Sequence, residues 1–236
     1  MSAPRPFRLD LGAGEFLVGD EVPGERPGYL FLHGLGSIRA GEKSTSLMAH
    51  AEAAGRAFLR IDLRGHGESS NRIGKVAVSE LIADVVRVLE GRGPTIVVGS
   101  SLGGLVGAHA AAARPDLVHA LALLAPALGL MSNLAARLDA QGRLWTREGQ
   151  GFTVEPRVLA DAKSLDEAGL PRRIRVPTLV VHGTADDVIP TIVSERFFAA
   201  LAAPSKELWL VPDGDHRLNT VAREIWRRLD ALVSAG

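Results

Sequence analysis

A serine at the centre of a Gly-x-Ser-x-Gly frame is the most chemically informative residue of this sequence. Ser101 follows a β-branched run that ends at Val98, and an alanine-rich segment begins directly after it. A serine on a tight turn from a strand into a helix tolerates only small neighbours two residues away, a need that Gly99 and Gly103 meet. The spacing predicts a nucleophile, with the amide of Leu102 at a helix N-terminus as a donor to an oxyanion.

Two downstream loops contain candidate partners for this serine. His216 follows the last predicted strand, and Asp186 and Asp187 follow the strand before it. A serine hydroxyl is a weak nucleophile at neutral pH until a base accepts its proton and an acid orients that base. Because the carboxyl ends of parallel strands meet at one edge of a sheet, we predict that Ser101, His216 and one of the two aspartates come together there.

Short apolar runs alternate with helical patterns along the chain. The predicted strands are 29–32, 57–61, 95–98, 120–124, 178–181 and 208–211, and the predicted helices lie around 42–54, 78–90, 102–113, 192–201 and 219–233. Segments 7–11 and 15–18 flank a glycine-rich turn and predict a hairpin at the antiparallel edge of the sheet. This order predicts an α/β fold, a mostly parallel sheet with helices on both faces.

The alternation stops between the sixth and the seventh strand. Residues 129–173 exceed the usual length of a connection, so we expect a small inserted cap of helix, hairpin and further helix within a single domain, 1–236. Two interpretations of its apolar side chains stay open, a substrate pocket and the cap's own core. The candidate pocket residues are Leu128, Met131, Trp145 and Phe152.

Several motifs resemble the α/β-hydrolase family, and the resemblance covers nearly the whole chain. The order serine, aspartate, histidine is typical of that family, as is the Asp-x-Arg-Gly-His-Gly-x-Ser stretch at 62–69. Four segments are similar, more narrowly, to the branch of palmitoyl-protein thioesterases and acyl-glucuronide esterases. These segments are 41–43, 99–104, 182–187 and 215–218.

The resemblance implies roles for further residues. The family's spacing from Gly183 favours Asp186 over Asp187 as the acid that orients His216. The family's His-Gly-x-x signature matches the chain from His33 onwards, which implies that the amide of Leu35 completes the oxyanion hole with that of Leu102.

These residues predict a serine hydrolase that cleaves carboxylic esters or thioesters through an acyl-enzyme intermediate. The resemblance implies thioesterase or acyl-glucuronide esterase activity. Two alternatives remain. One is a carbon–carbon bond hydrolase or cofactor-free perhydrolase that uses the same triad, and the other is a ligand-binding, receptor-like protein with slow turnover.

Other polar residues are interpreted as structural. Bulky residues lie two positions away from Ser100 on both sides, which disfavours it as the nucleophile, and Asp213 and Asp215 lie too close to His216 in sequence to orient it. His33, His66 and His182 are expected to hold loops, and His50, His109 and His119 to lie at surface or packing positions.

Composition excludes several classes of function. The chain has 27 basic and 27 acidic residues, so no net field favours nucleic acid or an acidic partner, and it has no cysteine for a thiolate nucleophile or disulfide. We expect a small-molecule ester or thioester as the partner, no metal and no cofactor. Prolines and charges interrupt residues 1–10, which disfavours a secretory signal, and no apolar run approaches a membrane span; cytoplasmic localisation is therefore expected. The sequence does not indicate an oligomeric state.

Overall fold

The fold is organised around one eight-stranded sheet. A computed structural model describes residues 4–146 and 149–234; the first three residues of the chain and two residues of the predicted cap, Arg147 and Glu148, lie outside the described residues. The strands are β1 (Arg5–Gly12), β2 (Glu15–Val22), β3 (Glu25–Leu32), β4 (Arg56–Ile61), β5 (Thr95–Ser100), β6 (Val118–Leu124), β7 (Arg143–Trp145), β8 (Gly151–Thr153), β9 (Thr178–Gly183) and β10 (Lys206–Val211).

The order of the strands across the large sheet is β1-β2-β4-β3-β5-β6-β9-β10. The β1–β2 and β2–β4 pairs are antiparallel and the other pairs are parallel, so the N-terminal hairpin forms the antiparallel edge. The predicted fold class, a mostly parallel sheet with such an edge, is confirmed.

Helices cover both faces of this sheet. They are α1 (Glu42–Ala53), α2 (Val78–Glu90), α3 (Leu102–Ala113), α4 (Pro156–Ser164), α5 (Leu170–Arg173), α6 (Thr191–Ala200) and α7 (Ala222–Ser234). Successive residues of a strand point to opposite faces, and β3 shows this directly: Leu30 and Leu32 pack into one apolar cluster, Tyr29 and Phe31 into the other. Helices α1 and α7 cover the second cluster, while α2, α3 and α6 cover the first.

The segment between β6 and β9 forms a layer over the carboxyl edge of the sheet. It contains a 3₁₀ stretch (Met131–Arg137) with a kink at Asn133, the β7–β8 hairpin, α4 and α5. The sequence predicted ordinary helix around 128–138, but the buried side chains Leu128, Met131 and Leu134 recur every three residues, the period of a 3₁₀ helix.

Polar contacts fasten this inserted segment to the N-terminal end of α2. The amide and hydroxyl of Ser79 both donate to the carboxylate of Asp161 in α4. The amide of Glu155 donates to the carbonyl of Gly74 at 2.9 Å, next to the hairpin. These ties fix one wall of the space that lies between the segment and the sheet edge.

Acid pH should destabilise this fold through its buried histidines. His109 on α3 is 8% exposed, and its Nε2 meets no hydrogen-bond partner among the described residues. Burial, aided by the charge of Arg173, lowers the pKa of His109 to about 4. Between that pKa and the unfolded value of about 6.5, the unfolded chain binds a proton that the folded chain does not, so stability falls as pH falls.

We expect His109→Leu to lose less stability on acidification than the parent protein. The difference in the free energy of unfolding between about pH 7 and pH 4.5 should shrink by on the order of 2 kcal/mol, measured by urea unfolding. His119→Gln, a change at an exposed histidine, should leave the difference unaltered. An equal acid loss in His109→Leu and the parent would contradict this assignment.

Within the described ranges, no helix has the length and apolarity needed to cross a membrane.

Candidate active site

The turn between β5 and α3 holds Ser101 in a strained conformation. Its φ of 53° and ψ of −115° lie outside the regions that serine ordinarily adopts. The Ser101 amide donates to the carbonyl of Leu124 at 2.9 Å, and its carbonyl accepts the amide of Ala127 at 3.0 Å. Because the end of β6 and the chain beyond it hold the turn from both sides, the surrounding structure maintains the strain.

The two glycines of the motif permit a close approach of backbones. A Cβ atom on Gly99 would lie 2.3 Å from the carbonyl oxygen of Gly103, and one on Gly103 would lie 2.2 Å from that of Leu32. These distances explain why the turn requires glycine on both sides of Ser101. Ser100, in contrast, is a buried residue of β5.

We expect Gly103→Ala to disrupt this turn. The new methyl group would meet the carbonyl of Leu32 on β3, so α3 would have to move away from the sheet. The variant should lose at least about tenfold in kcat and on the order of 2 kcal/mol or more in the free energy of unfolding. Gly91→Ala is the matched control, because its Cβ would meet only one atom, at 3.8 Å, and its properties should stay close to the parent's. Parent-like activity and stability in Gly103→Ala would contradict the prediction.

His216 and Asp186 form a hydrogen-bonded pair at the carboxyl edge of the sheet. His216 Nδ1 lies 2.7 Å from Asp186 Oδ2, so the ring donates its Nδ1 proton and leaves the Nε2 lone pair available. Of the two aspartates left open by spacing alone, Asp186 is thus the one bonded to this nitrogen. Ser101 and His216 line the same cavity.

Backbone and ring donors hold the Asp186 carboxylate in its ionised form. Its side chain is fully buried, and burial alone would raise its pKa. Hydrogen bonds from His182 and His216, together with the amides of Val188 and Ile189 at 2.8 and 2.9 Å, outweigh burial and hold the pKa of Asp186 well below its ordinary value. The carboxylate is therefore charged throughout the neutral range.

Close packing of two loops brings the pair together. A Cβ atom on Gly183, at the end of β9, would lie 2.1 Å from the carbonyl oxygen of Gly214, in the loop that follows β10. That same carbonyl accepts the amide of Ala185 at 2.9 Å. The loop that carries Asp186 thus lies directly against the loop that carries His216.

The loop after β3 passes beside Ser101. A Cβ atom on Gly34 would lie 3.2 Å from the Ser101 Cβ, and both Leu35 and Leu102 line the cavity with the serine. Leu102 is the first residue of α3, where an amide has no acceptor within the helix. The two leucine amides that sequence analysis singled out thus lie beside the candidate nucleophile.

His33 holds this loop, as predicted. Its Nδ1 donates to the carbonyl of Gly34 at 2.8 Å, and its Nε2 accepts the amide of Leu63 at 3.0 Å. Burial lowers the pKa of His33, which agrees with a neutral ring that uses one nitrogen as donor and the other as acceptor.

A buried ion pair that sequence analysis missed anchors the far end of the same loop. The carboxylate of Asp62 is fully buried and accepts hydrogen bonds from the backbone amide and a guanidinium nitrogen of Arg39. Arg39 also contacts Asp20 and Glu68. The Asp-x-Arg-Gly-His-Gly-x-Ser stretch therefore contributes, through its first residue, a fixed point for the loop that carries Leu35.

A cavity of about 570 Å³ opens from Ser101 and His216 under the inserted segment. Three candidate pocket residues line it: Met131, Phe152 and Trp145, which is half exposed and donates its Nε1 proton to Asp139 at 2.7 Å. Leu128, the fourth candidate, follows the end of β6 closely; its side chain packs in the apolar cluster and is not among the residues that line this cavity.

The rest of the cavity wall is largely apolar. Side chains from the sequence between β4 and α2 and from α2 itself, among them Ile73, Val76 and Leu81, face those of the inserted segment. Lys43 and Arg217 also line the cavity. Across the part of the chain that the structure describes, no group of three or more histidine and carboxylate side chains is arranged to hold a metal ion.

Comparison with known proteins identifies the family of this chain. A family model described as the alpha/beta hydrolase fold matches residues 30–161. The palmitoyl-protein thioesterase ABHD10, mitochondrial, from Mus musculus is 30% identical over 217 residues, which cover 85% of this chain and 72% of that protein. Lipase LipV from Mycobacterium tuberculosis is 34% identical over 180 residues, covering 59% of this chain and 68% of the lipase.

Solved structures show the same fold. The mouse alpha/beta hydrolase domain-containing protein 10 superposes with a TM-score of 0.86 at 26% identity, covering 98% of this chain and 99% of that one. Est1E from Butyrivibrio proteoclasticus, solved with ferulic acid bound, gives a TM-score of 0.83 at 20% identity, covering 97% of this chain and 99% of the esterase.

Proposed function

Because this chain belongs to the α/β-hydrolase family and is an enzyme of its ester- and thioester-hydrolysing class, we propose that Ser101, His216 and Asp186 form its catalytic triad. One observation carries the proposal: the strained Ser101 turn and the Asp186-bonded ring of His216 line one apolar cavity. Family membership indicates the class of reaction, and the apolar cavity indicates the kind of acyl group that would bind.

The mechanism follows from the protonation state of each group. His216, which donates Nδ1–H to Asp186, uses Nε2 to take the Ser101 proton as Oγ attacks the substrate carbonyl. The amides of Leu35 and Leu102 donate to the oxyanion of the tetrahedral intermediate. His216 then protonates the departing alcohol or thiol, which leaves Ser101 acylated.

Water completes the cycle by the same route. His216 takes a proton from the water as it attacks the acyl-enzyme, and the two leucine amides again hold the oxyanion. Collapse of this second intermediate breaks the bond to Ser101 Oγ, which regains its proton from His216. The products are a carboxylic acid and the free serine.

The cavity favours a substrate with an extended apolar acyl group. Its volume of about 570 Å³ lies within the range of ordinary ligand pockets, and apolar side chains from the inserted segment and α2 form most of its wall. Burial of each added methylene is worth about 0.8 kcal/mol, which corresponds to roughly a fourfold rise in kcat/KM. The mouse relative is named as a thioesterase, which supports the proposal that thioesters are substrates as well as oxygen esters.

An acyl-chain series tests this specificity. We expect kcat/KM for p-nitrophenyl esters, and for acyl-thioesters of equal acyl length, to rise by up to about fourfold per methylene until the cavity is filled. Ser101→Ala protein provides the blank. Rates that do not depend on acyl length would contradict the assignment of the cavity to the acyl group.

A bulkier side chain in the cavity wall provides a second test of the acyl-length preference. Met131→Trp adds bulk to the cavity wall and should move the preferred acyl length to shorter chains. Ile192→Ser alters an exposed apolar residue outside the cavity wall and should leave the preferred length unaltered. An unchanged profile in the tryptophan variant would place the acyl group elsewhere.

A further inference from the structure

We propose that His182 is a positioning residue for catalysis, which holds the acid of the triad through a hydrogen bond to Asp186. The inference rests on the proposed function, since it concerns how the Asp186–His216 pair is oriented. Sequence analysis interpreted His182 as a histidine that merely satisfies its own loop, and the structure gives its ring a direct contact with the triad carboxylate.

The ring of His182 must donate a proton towards Asp186. His182 is the fifth residue of β9 and is fully buried. Its Nε2 lies 3.0 Å from Asp186 Oδ2 and 2.9 Å from the carbonyl oxygen of Ile189. Both neighbours are acceptors only, so Nε2 carries the proton; its hydrogen bond runs to the Ile189 carbonyl, and Asp186 Oδ2 lies at a similar distance as the second acceptor.

Helix α6 supplies the partner of the other ring nitrogen. Nδ1 of His182 lies 2.7 Å from the hydroxyl of Ser194, a fully buried residue in the first half of the helix. In a neutral ring that is protonated on Nε2, Nδ1 has only a lone pair, and the Ser194 hydroxyl therefore donates to it. A line of hydrogen bonds runs from Ser194 through His182 and Asp186 to His216.

The last two bonds in this line share one oxygen. Asp186 Oδ2 accepts both the Nε2 proton of His182 and the Nδ1 proton of His216, while Oδ1 accepts two backbone amides. With both oxygens occupied, the carboxylate cannot rotate away from His216. The second donor on Oδ2 also competes with the His216 proton for the charge on that oxygen.

Other charged groups near this line lie on the neighbouring elements. Asp187 and Asp215 belong to the two loops themselves; Arg137 of the inserted segment reaches the Val188 carbonyl, and Lys43 of α1 reaches that of Arg217. Within the described chain, the Asp186 carboxylate contacts the two rings and the two amides described above. Loss of the His182 donor is therefore the substitution that should alter the contacts of the Asp186 carboxylate most directly.

The other buried histidines show why this contact is distinctive. Both ring nitrogens of His33 bond to backbone groups, and His109 makes no hydrogen bond through Nε2 within the described chain. His182 is bonded to the side chain that orients the proposed base. A purely structural histidine would affect stability, whereas a positioning histidine also affects the pH dependence of turnover.

Two substitutions at the same position test the inference. His182→Leu removes the donor, and we expect kcat to fall by roughly 10- to 100-fold with a smaller change in KM. In this variant Oδ2 accepts a hydrogen bond from His216 alone. The acid limb of the kcat/KM profile should therefore move to higher pH by roughly half a unit. His182→Gln, whose side-chain amide can donate from near the Nε2 position, should restore most of kcat and return the limb towards the parent's. A folded His182→Leu protein with parent-like kcat and acid limb would overturn the inference.

A measurement on the unaltered protein covers the case in which His182→Leu does not fold. Nitrogen NMR of protein with ¹⁵N-labelled histidine reports which ring nitrogen carries the proton. We expect His182 to carry a proton on Nε2, and the Nδ1 signal of His216 to shift in Ser194→Ala, where the ring of His182 loses its partner on helix α6. Protonation of His182 on Nδ1 alone, or a His216 signal insensitive to Ser194→Ala, would overturn the inference.

Failure of this inference is distinguishable from failure of the proposed function. If His182 variants behave like the parent while Ser101→Ala is inactive, the triad stands and His182 is structural. If Ser101→Ala retains ester turnover, the proposed function fails whatever the His182 variants do.

Discussion

Replacement of Ser101 by alanine should lower kcat for ester and thioester hydrolysis by about 10⁶-fold, to a rate set by the oxyanion donors and binding alone. The substitution removes Oγ, the proposed nucleophile, and the neighbouring hydroxyl of Ser100 belongs to the buried end of β5. Relief of the positive φ at this position is small, because alanine at φ 53° is strained as serine is. Stability should therefore change far less than activity.

Ser100→Ala provides the matched control. It makes the same chemical change one residue earlier, at a buried position of β5, and should lower kcat by less than about tenfold. Hydrolysis of p-nitrophenyl esters by purified proteins, followed alongside their thermal unfolding, gives both quantities. Near-parent activity in Ser101→Ala, or an equal loss in Ser100→Ala, would remove Ser101 from its proposed role.

Replacement of Asp186 by asparagine should lower kcat by about 10⁴-fold. Both oxygens of this carboxylate accept N–H bonds, Oδ2 from His182 and His216 and Oδ1 from the amides of Val188 and Ile189. An asparagine offers one oxygen and one NH₂ group, so its NH₂ must face donors on one side. Either His216 takes the wrong tautomer, or the turn opens.

The same substitution has a consequence for stability that depends on pH. The pKa of Asp186 is held below its unfolded value of about 3.9, so its contribution is fully present above that value and is lost as pH falls through the folded pKa. Asp186→Asn should therefore destabilise the protein at neutral pH and progressively less in acid. Asp187→Asn, at the neighbouring carboxylate, is the control for kcat and should have a much smaller effect. A kcat for Asp186→Asn within about tenfold of the parent's would contradict its role.

Hydrophobic periodicity predicted the large elements well, because their burial is set by the sheet itself. Residues 78–90 form α2 as predicted, with Leu81, Val85 and Leu89 on the buried face. The predicted strands were mostly too short at their ends. The 95–98 run extends through Ser100, since the ladder to β6 continues past the last β-branched residue and glycine and serine pair as well as valine does.

Contacts between distant segments were beyond the reach of pattern analysis. Nothing in the spacing of Arg39 and Asp62 shows that they form a buried pair, because the pair exists only once the loop before α1 lies against the residue that follows β4. His182 and Asp186 are only four residues apart, and that separation was a signal available in the sequence. It became interpretable only when the turn at Gly183 returned the chain towards the ring.

The pocket wall and the cellular location are two further features that the sequence pattern did not determine. Leu128 and Met131 both pack in the apolar cluster, and only the path of the chain after β6 brings Met131 to the cavity as well. The mouse relative is named as mitochondrial, so the comparisons give no support to the expectation of a cytoplasmic protein.

Covalent labelling with a fluorophosphonate, followed by mass spectrometry of the peptides, tests the central claim most directly. The probe phosphonylates an activated serine, and loss of ester turnover should follow the extent of labelling. We predict a single adduct on the peptide that contains Ser101, with no labelling of the Ser101→Ala protein. An adduct on another residue, or full turnover by fully labelled protein, would contradict the account.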